Sequence, residues 1–349
     1  SAFAYILPGF IFNLIGVRYT YLLGRHFYTP QVGLVASIFY LTALHLMLSC
    51  IDVRAEAYLL GTLIPACYYW VLYNEQMQIK WMFLIKGALF SALAIMTKGI
   101  FIILPLTSGL LCLWFFTHKL INIVRVKWIL AVVLSLVFIT PELISLWLQF
   151  DLHPEKVVFG HTHVSGVKFF FWDSQFGRFF DTGPITSGSD RANFSHYFYF
   201  VHTFLWAFLP WSMIFIVALW NIYKDLRRST DLPKVAEQKE CYKYLLGSII
   251  PTFILFSLTK FQLDHYTNIL IPFACIICAA WICNKATRFV THPVFYFQVV
   301  LSYILCGVVI VLALLMFNGK MFACMLGLCI LCIGSFGVFN NNRYLNKAI

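Results

Sequence analysis

The segment Leu44–Ile64, LHLMLSCIDVRAEAYLLGTLI, decides how the rest of the chain is read. On both sides of it the sequence is almost continuously apolar, yet Asp52, Arg54 and Glu56 fall within five residues. A charge at the centre of a membrane span costs a few kcal/mol on insertion scales. Three charges this close belong at a junction between spans, and they need a reason to be kept there.

Composition identifies the solvent. The chain is 61% hydrophobic and 18% aromatic, with only 11% charged residues, against roughly 25% charged in a soluble domain. Its apolar runs are apolar all round and long enough to cross as helices, whereas barrel strands would alternate polar and apolar residues. The expectation is an all-α fold, a polytopic transmembrane helical bundle forming a single integral-membrane domain over residues 1–349. Most of the eleven cysteines lie inside apolar runs, and Cys275 and Cys278 in IPFACIICAAWIC have only apolar neighbours. They read as small buried hydrophobes, with no disulfide framework and no zinc site. The net charge of +11 first suggests loop topology; no nucleic-acid partner is expected.

About eleven segments approach spanning length: 4–22, 31–50, 54–74, 82–97, 99–117, 128–149, 197–222, 242–259, 266–284, 295–317 and 322–338. If each one crosses, the connections alternate sides. One side then carries fifteen Lys and Arg, including those of the connection 224–243, and the other carries eight. The positive-inside rule makes the richer side cytoplasmic. Arg18 and Lys86 fall within spans; Lys86, near a cytoplasmic end, can snorkel. By this alternation the junction at 52–56, Lys98, the long loop 150–196 and the junction LTKFQLDHYTN all lie on the extracytoplasmic face. The first span would run from outside to inside, so an earlier span followed by an extracytoplasmic loop is expected before residue 1.

The outer face collects the candidate chemistry. Asp52 suits a helix N-cap and Glu56 an acidic first turn, but Arg54 does not suit a helix N-terminus. Asp52 and Glu56, four residues apart, share a helix face. Two carboxylates and an arginine also suit sugar hydroxyls, acid–base work or a phosphate. Lys98 in MTKGIF joins two apolar runs with almost no loop; it either snorkels or offers a point charge to phosphate, with Gly99 permitting a tight turn. The loop 150–196 is too long for a mere connector. Its stretch FFFWDSQFGRFF suits an interfacial segment and equally a sugar or a lipid head group. His161 and His163 form a lone HxH with no third ligand in view, so no metal is expected. Lys260, Asp264 and His265 punctuate two more apolar runs, with Asp264 also suited to an N-cap.

Four of these places carry a resemblance. SCIDVRAEAYLLG, AIMTKGIFIILP, FFFWDSQFGRFFDTG followed by HYFYFVHTFLWAFLPWS, and FSLTKFQLDHYTNILIPF appear in this order over most of residues 30–275. Together they resemble the dolichyl-phosphate-mannose protein mannosyltransferase superfamily, especially its bacterial branch with the aminoarabinose transferases of lipid A. The resemblance implies a GT-C membrane glycosyltransferase that binds a polyprenyl-phosphate sugar donor at the extracytoplasmic face. It would transfer the sugar, with inversion, to an acceptor such as lipid A, a protein or another glycan. It further implies a multi-pass protein of the bacterial inner membrane, in contact with membrane lipids and without a cofactor.

On that reading Asp52 and Glu56 are the catalytic candidates. Lys98, Lys260 and Arg178 would meet the donor phosphate, stabilising the leaving group. Arg54, Asp173, His196, Tyr197, Asp264, His265 and Tyr266 are the candidate sugar or acceptor contacts. The family places an acidic residue, its presumed base, in the loop after its first span, a loop that this sequence does not contain. Two alternatives remain: a transporter or flippase of lipid-linked sugars, and an inactive glycosyltransferase fragment. Ionisable residues at junctions on one face favour the enzyme over midplane transport chemistry. Glu142, in the outer third of its span, fits the same outer cavity.

Overall fold

The computed structural model describes residues 2–51, 55–158, 160–180, 182, 195–227, 233–259, 262–284, 300, 304 and 307. Among them, all regular structure is helical apart from one isolated bridge between Val158 and His161. The expected spans 295–317 and 322–338 lie almost wholly outside the described residues.

Helix α1 (Ala2–Phe27) turns into α2 (Pro30–Thr42) at FYTPQ. There Thr29 Oγ1 accepts from the Val32 amide at 3.3 Å, and Pro30 opens the helix at a position where its missing N–H costs nothing. α1 also lies against α4 (Ala55–Glu75), and a β-carbon on Gly61 would overlap the Phe12 carbonyl. The small residue lets the two backbones approach, the common device where helices pack in lipid.

Residues 31–50 do not form one helix. α2 stops at Thr42 and α3 begins at Leu44, ending at Ile51. Likewise 197–222 is two helices, α10 (Ser195–Ala207) and α11 (Ser212–Arg227), bent by 116° at the break. The two breaks face each other. Leu44 donates its amide to the Leu209 carbonyl at 2.9 Å, and Trp211 Nε1 donates to Thr42 Oγ1 at 2.9 Å. The first bond pairs a backbone donor at one interruption with a backbone acceptor at the other, a requirement that lipid enforces strictly, and the second ties the breaks together through side chains.

α5 (Trp81–Lys98) is followed by a 3-10 turn, Ile100–Ile103, and α6 (Leu104–Phe116). α7 (Val126–Leu146) widens into a π-turn at Trp147–Asp151. The segment read as a long loop contains α8 (Gly166–Lys168), a second π-helical stretch Phe169–Gly177, and α9 (Arg178–Phe180). The connection read as 224–243 is shortened from both ends: α11 runs to Arg227, and α12 (Pro233–Leu258) begins nine residues before the expected apolar edge at 242. Hydropathy marks the lipid boundary, whereas a helix can continue past it into water.

A 3-10 turn, Asp264–Leu270, leads into α13 (Ile271–Asn284). Every residue from Ile271 to Ile282 is buried, so α13 is the axis on which α2 and α11 pack. A helix apolar all round belongs in such a place. α7 is the opposite case, presenting Ile129, Val132, Val133, Leu136 and Val137 outward, as lipid rather than water requires. Five helical segments among the described residues are long and apolar enough to cross a membrane, or six if the bent α10–α11 pair is one span.

Candidate active site

The site begins with the end of a helix. α5 stops at Lys98 because Gly99 takes φ +94°, a conformation that L side chains rarely adopt. A β-carbon on Gly99 would also overlap the side-chain amide of Gln175. Gln175 is 7% exposed and bridges the interruption. Its Nε2 donates to the Lys98 carbonyl at 3.4 Å, and its Oε1 accepts from the Phe101 amide at 3.4 Å. A side chain from the π-helical stretch thereby serves backbone groups that α5 and the following 3-10 turn leave open.

Lys98, set at this end, forms an ion pair with Glu56 in the first turn of α4. Their side chains are 19% and 8% exposed respectively. His265 Nε2 lies 3.1 Å from the same Glu56 oxygen, and Lys98 Nζ lies 5.2 Å from the centre of the Tyr266 ring. Removing one member of a buried ion pair typically costs 3–5 kcal/mol, because the other is left uncompensated. The group is therefore held as a set, on three elements remote in sequence.

Two clefts meet at this group. One is mostly apolar, with Leu59, Phe101, Phe179, Phe256, Tyr266 and Ile269 in its wall, and Lys98 as its cation. Its empty volume, open mouth included, is about 580 Å³. The other, about 690 Å³ on the same measure, is polar and is walled by His45, Ser49, Glu56, Tyr199, Asp264 and His265. His265 lines both. Lys98 thus faces the greasy side and Glu56 the wet side.

In the polar cleft the Tyr199 hydroxyl donates to an Asp264 carboxylate oxygen. Asn268, buried in the 3-10 turn that leads into α13, lies 2.6 Å from His45 Nδ1 through Oδ1 and donates from Nδ2 to Ser49 Oγ at 2.9 Å.

Of the residues singled out from sequence, the structure brings together Glu56, Lys98, Asp264, His265 and Tyr266. Asp264 is not the N-cap of its turn: that position is Leu263, and the carboxylate is engaged by Tyr199. Asp173 is half-buried in the π-helical stretch and lines neither cleft. The exposed His161 and His163 line neither. Asp52, Arg54 and Lys260 lie outside the described residues, as do the side chains of Arg178, His196 and Tyr197. Sequence reasoning passed over Gln175, His45, Ser49, Tyr199 and Asn268. Gln175 and Tyr199 sit inside stretches already flagged, FFFWDSQFGRFF and HYFYF; the other three carry no sequence signal beyond being polar among apolar neighbours.

A family model described as Dolichyl-phosphate-mannose-protein mannosyltransferase matches residues 1–145, the part that holds Glu56 and Lys98. No curated protein sequence matches significantly. Two solved structures share the fold. ArnT from Cupriavidus metallidurans bound to undecaprenyl phosphate superposes with TM-score 0.61 at 17% identity, over 96% of this chain and 61% of that one. The apo form gives TM-score 0.59 at 17% identity, with the same coverage. The chain thus spans about 61% of the length of those structures. It is an integral membrane protein, all-α, with the GT-C bundle architecture of ArnT.

Proposed function

We propose that the chain acts as a membrane glycosyltransferase that moves a sugar from a polyprenyl-phosphate donor to an acceptor at the extracytoplasmic face, with inversion. The observation that carries this reading is the Glu56–Lys98 pair at the boundary between an apolar cleft and a polar one. A polyprenyl-phosphate sugar has three parts in that order: an apolar chain, an anionic phosphate and a polar sugar. The undecaprenyl phosphate held by the structurally similar ArnT supports a carrier of this chemistry.

In the proposed reaction the acceptor hydroxyl attacks the anomeric carbon from the polar cleft. A new C–O bond forms as the anomeric carbon–phosphate oxygen bond breaks. The lipid phosphate leaves with the electron pair, and the hydroxyl proton passes to a carboxylate, Glu56 or Asp52. Lys98 stabilises the charge that grows on the leaving phosphate, where a preorganised cation in a water-poor site is most effective. In this structure Glu56 neutralises Lys98. An arriving phosphate competes for that ammonium and frees the carboxylate on the side from which the acceptor comes.

The test is transfer from a synthetic polyprenyl-phosphate sugar by the purified full-length protein, with the product's anomeric configuration read by NMR. Inverted product, lost in Lys98→Ala, supports the proposal; retained configuration refutes the single displacement. Movement of the donor across vesicles without transfer would favour a transporter.

A further inference from the structure

Arg18 and Lys86 are the two basic residues that fall inside apolar spans, on α1 and α5. In sequence each stands alone, but the fold brings them to one patch. The Tyr19 and Tyr69 hydroxyls hydrogen-bond at 2.8 Å, joining α1 to α4. Lys86 Nζ lies 5.3 Å from the centre of the Tyr69 ring, and Arg18 directly precedes Tyr19 on α1. Tyr68 and Phe90 pack against Tyr19 at ring separations of 5.7 and 6.0 Å.

Both cations are on the outer surface of the bundle, and neither has a carboxylate partner among the described residues. Glu75, at the end of α4, pairs with His26 at 2.6 Å. Arg18 lies about 10 Å of helix rise inside Arg25, and Lys86 about 9 Å inside Lys80. The two therefore sit at similar depth, below the level where helix-end charges meet water. Along α4 the patch is about 20 Å from Glu56, and so belongs to the other leaflet. An ionisable group facing lipid needs a counter-charge, and basic pockets between membrane helices bind anionic head groups.

We infer that Arg18, Lys86 and the Tyr19–Tyr69 hydroxyl pair form a site for the phosphate of an anionic phospholipid in the leaflet opposite the candidate active site. The guanidinium and ammonium bracket the phosphate, a phenol donates to it, and the aromatic rings carry the glycerol and upper acyl chains. Among the described residues no carboxylate pairs with either cation, so nothing there pairs the amine of a choline or ethanolamine head group, and the site favours lipids whose head group carries no amine. The proposal does not depend on the reaction assigned to Glu56 and Lys98.

The experiment compares thermal unfolding of the purified full-length protein in detergent with added phosphatidylglycerol, phosphatidylcholine or inorganic phosphate, and counts lipids retained in native mass spectrometry. Phosphatidylglycerol is expected to raise the midpoint by a few degrees and to be retained, with neither other ligand doing so. Arg18→Gln with Lys86→Gln should lose both effects. The charge-conserving Arg18→Lys, which tests the site if the double variant does not fold, should keep most of them, and Lys119→Gln, on another surface, should keep all. Equal responses to the two lipids, or an undiminished response in the double variant, overturn the proposal. A shift produced by inorganic phosphate alone overturns its lipid half and reassigns the patch to a free anion.

Discussion

Glu56 and Lys98, forty-two residues apart, close an ion pair in which the carboxylate looks onto a polar cleft and the ammonium onto an apolar one. The pair makes the lysine available to a phosphate only at the carboxylate's expense.

Lys98→Ala is expected to weaken donor use by about tenfold to a hundredfold, since a charge-assisted contact contributes roughly 1.5–3 kcal/mol. Lys98→Arg should recover part of this if charge alone matters, limited by the wider guanidinium fork. The measurement is the transfer rate with donor concentration varied. Wild-type behaviour of Lys98→Ala would place the donor phosphate elsewhere.

Glu56→Gln separates the carboxylate's two proposed roles. Losing the competitor for Lys98 should tighten binding of polyprenyl phosphate, while losing the proton acceptor should slow transfer. Isothermal titration and single-turnover rates should therefore move in opposite senses. Weaker binding together with slower transfer would make Glu56 a direct donor contact instead.

Gly99→Ala should reduce activity severely and lower the unfolding midpoint, through overlap with Gln175 and through a backbone conformation worth of order 1–3 kcal/mol in strain. Adding Gln175→Ala removes the overlap but leaves the dihedral cost and gives up the hydrogen bonds to the Lys98 carbonyl and the Phe101 amide. The double variant should therefore remain impaired. Full rescue would show that crowding is the entire effect.

The 116° bend between α10 and α11 fits either a broken span or a re-entrant pair. If the pair crosses, a reporter inserted within 183–194 should read the side opposite to one within 228–232, the latter cytoplasmic. The same side for both would make the pair re-entrant and reverse the inferred orientation of every helix after it.

What was legible in the sequence follows from what lipid makes expensive. Glu56, Lys98 and His265 stood out because ionisable groups interrupt apolar runs only at a cost. Gln175, Ser49 and Asn268 are neutral and cheap, and nothing in the run around them marks the contacts they make across 77, 219 and 223 residues. Those contacts are properties of the packing. The break at Ala43 was invisible for a related reason. YLTALHL contains neither Gly nor Pro, and the groups that compensate the break arrive from Leu209 and Trp211. The second break did carry its proline, in AFLPWS, but hydropathy read straight across it.

The position of Glu56 also bears on turnover. On the proposed reaction the donor is a phosphodiester with one negative charge, whereas the departing carrier is a monoester that approaches two near neutral pH. Lys98 alone would therefore hold the spent carrier more firmly than the fresh donor, and its departure would limit the rate, as product release often does. A carboxylate within ion-pair reach of the same ammonium works against that trap: once ionised, after giving up to water any proton it took from the acceptor, it reclaims Lys98 and lowers the cost of letting the carrier go. The residue that hinders loading is then also the one that resets the enzyme.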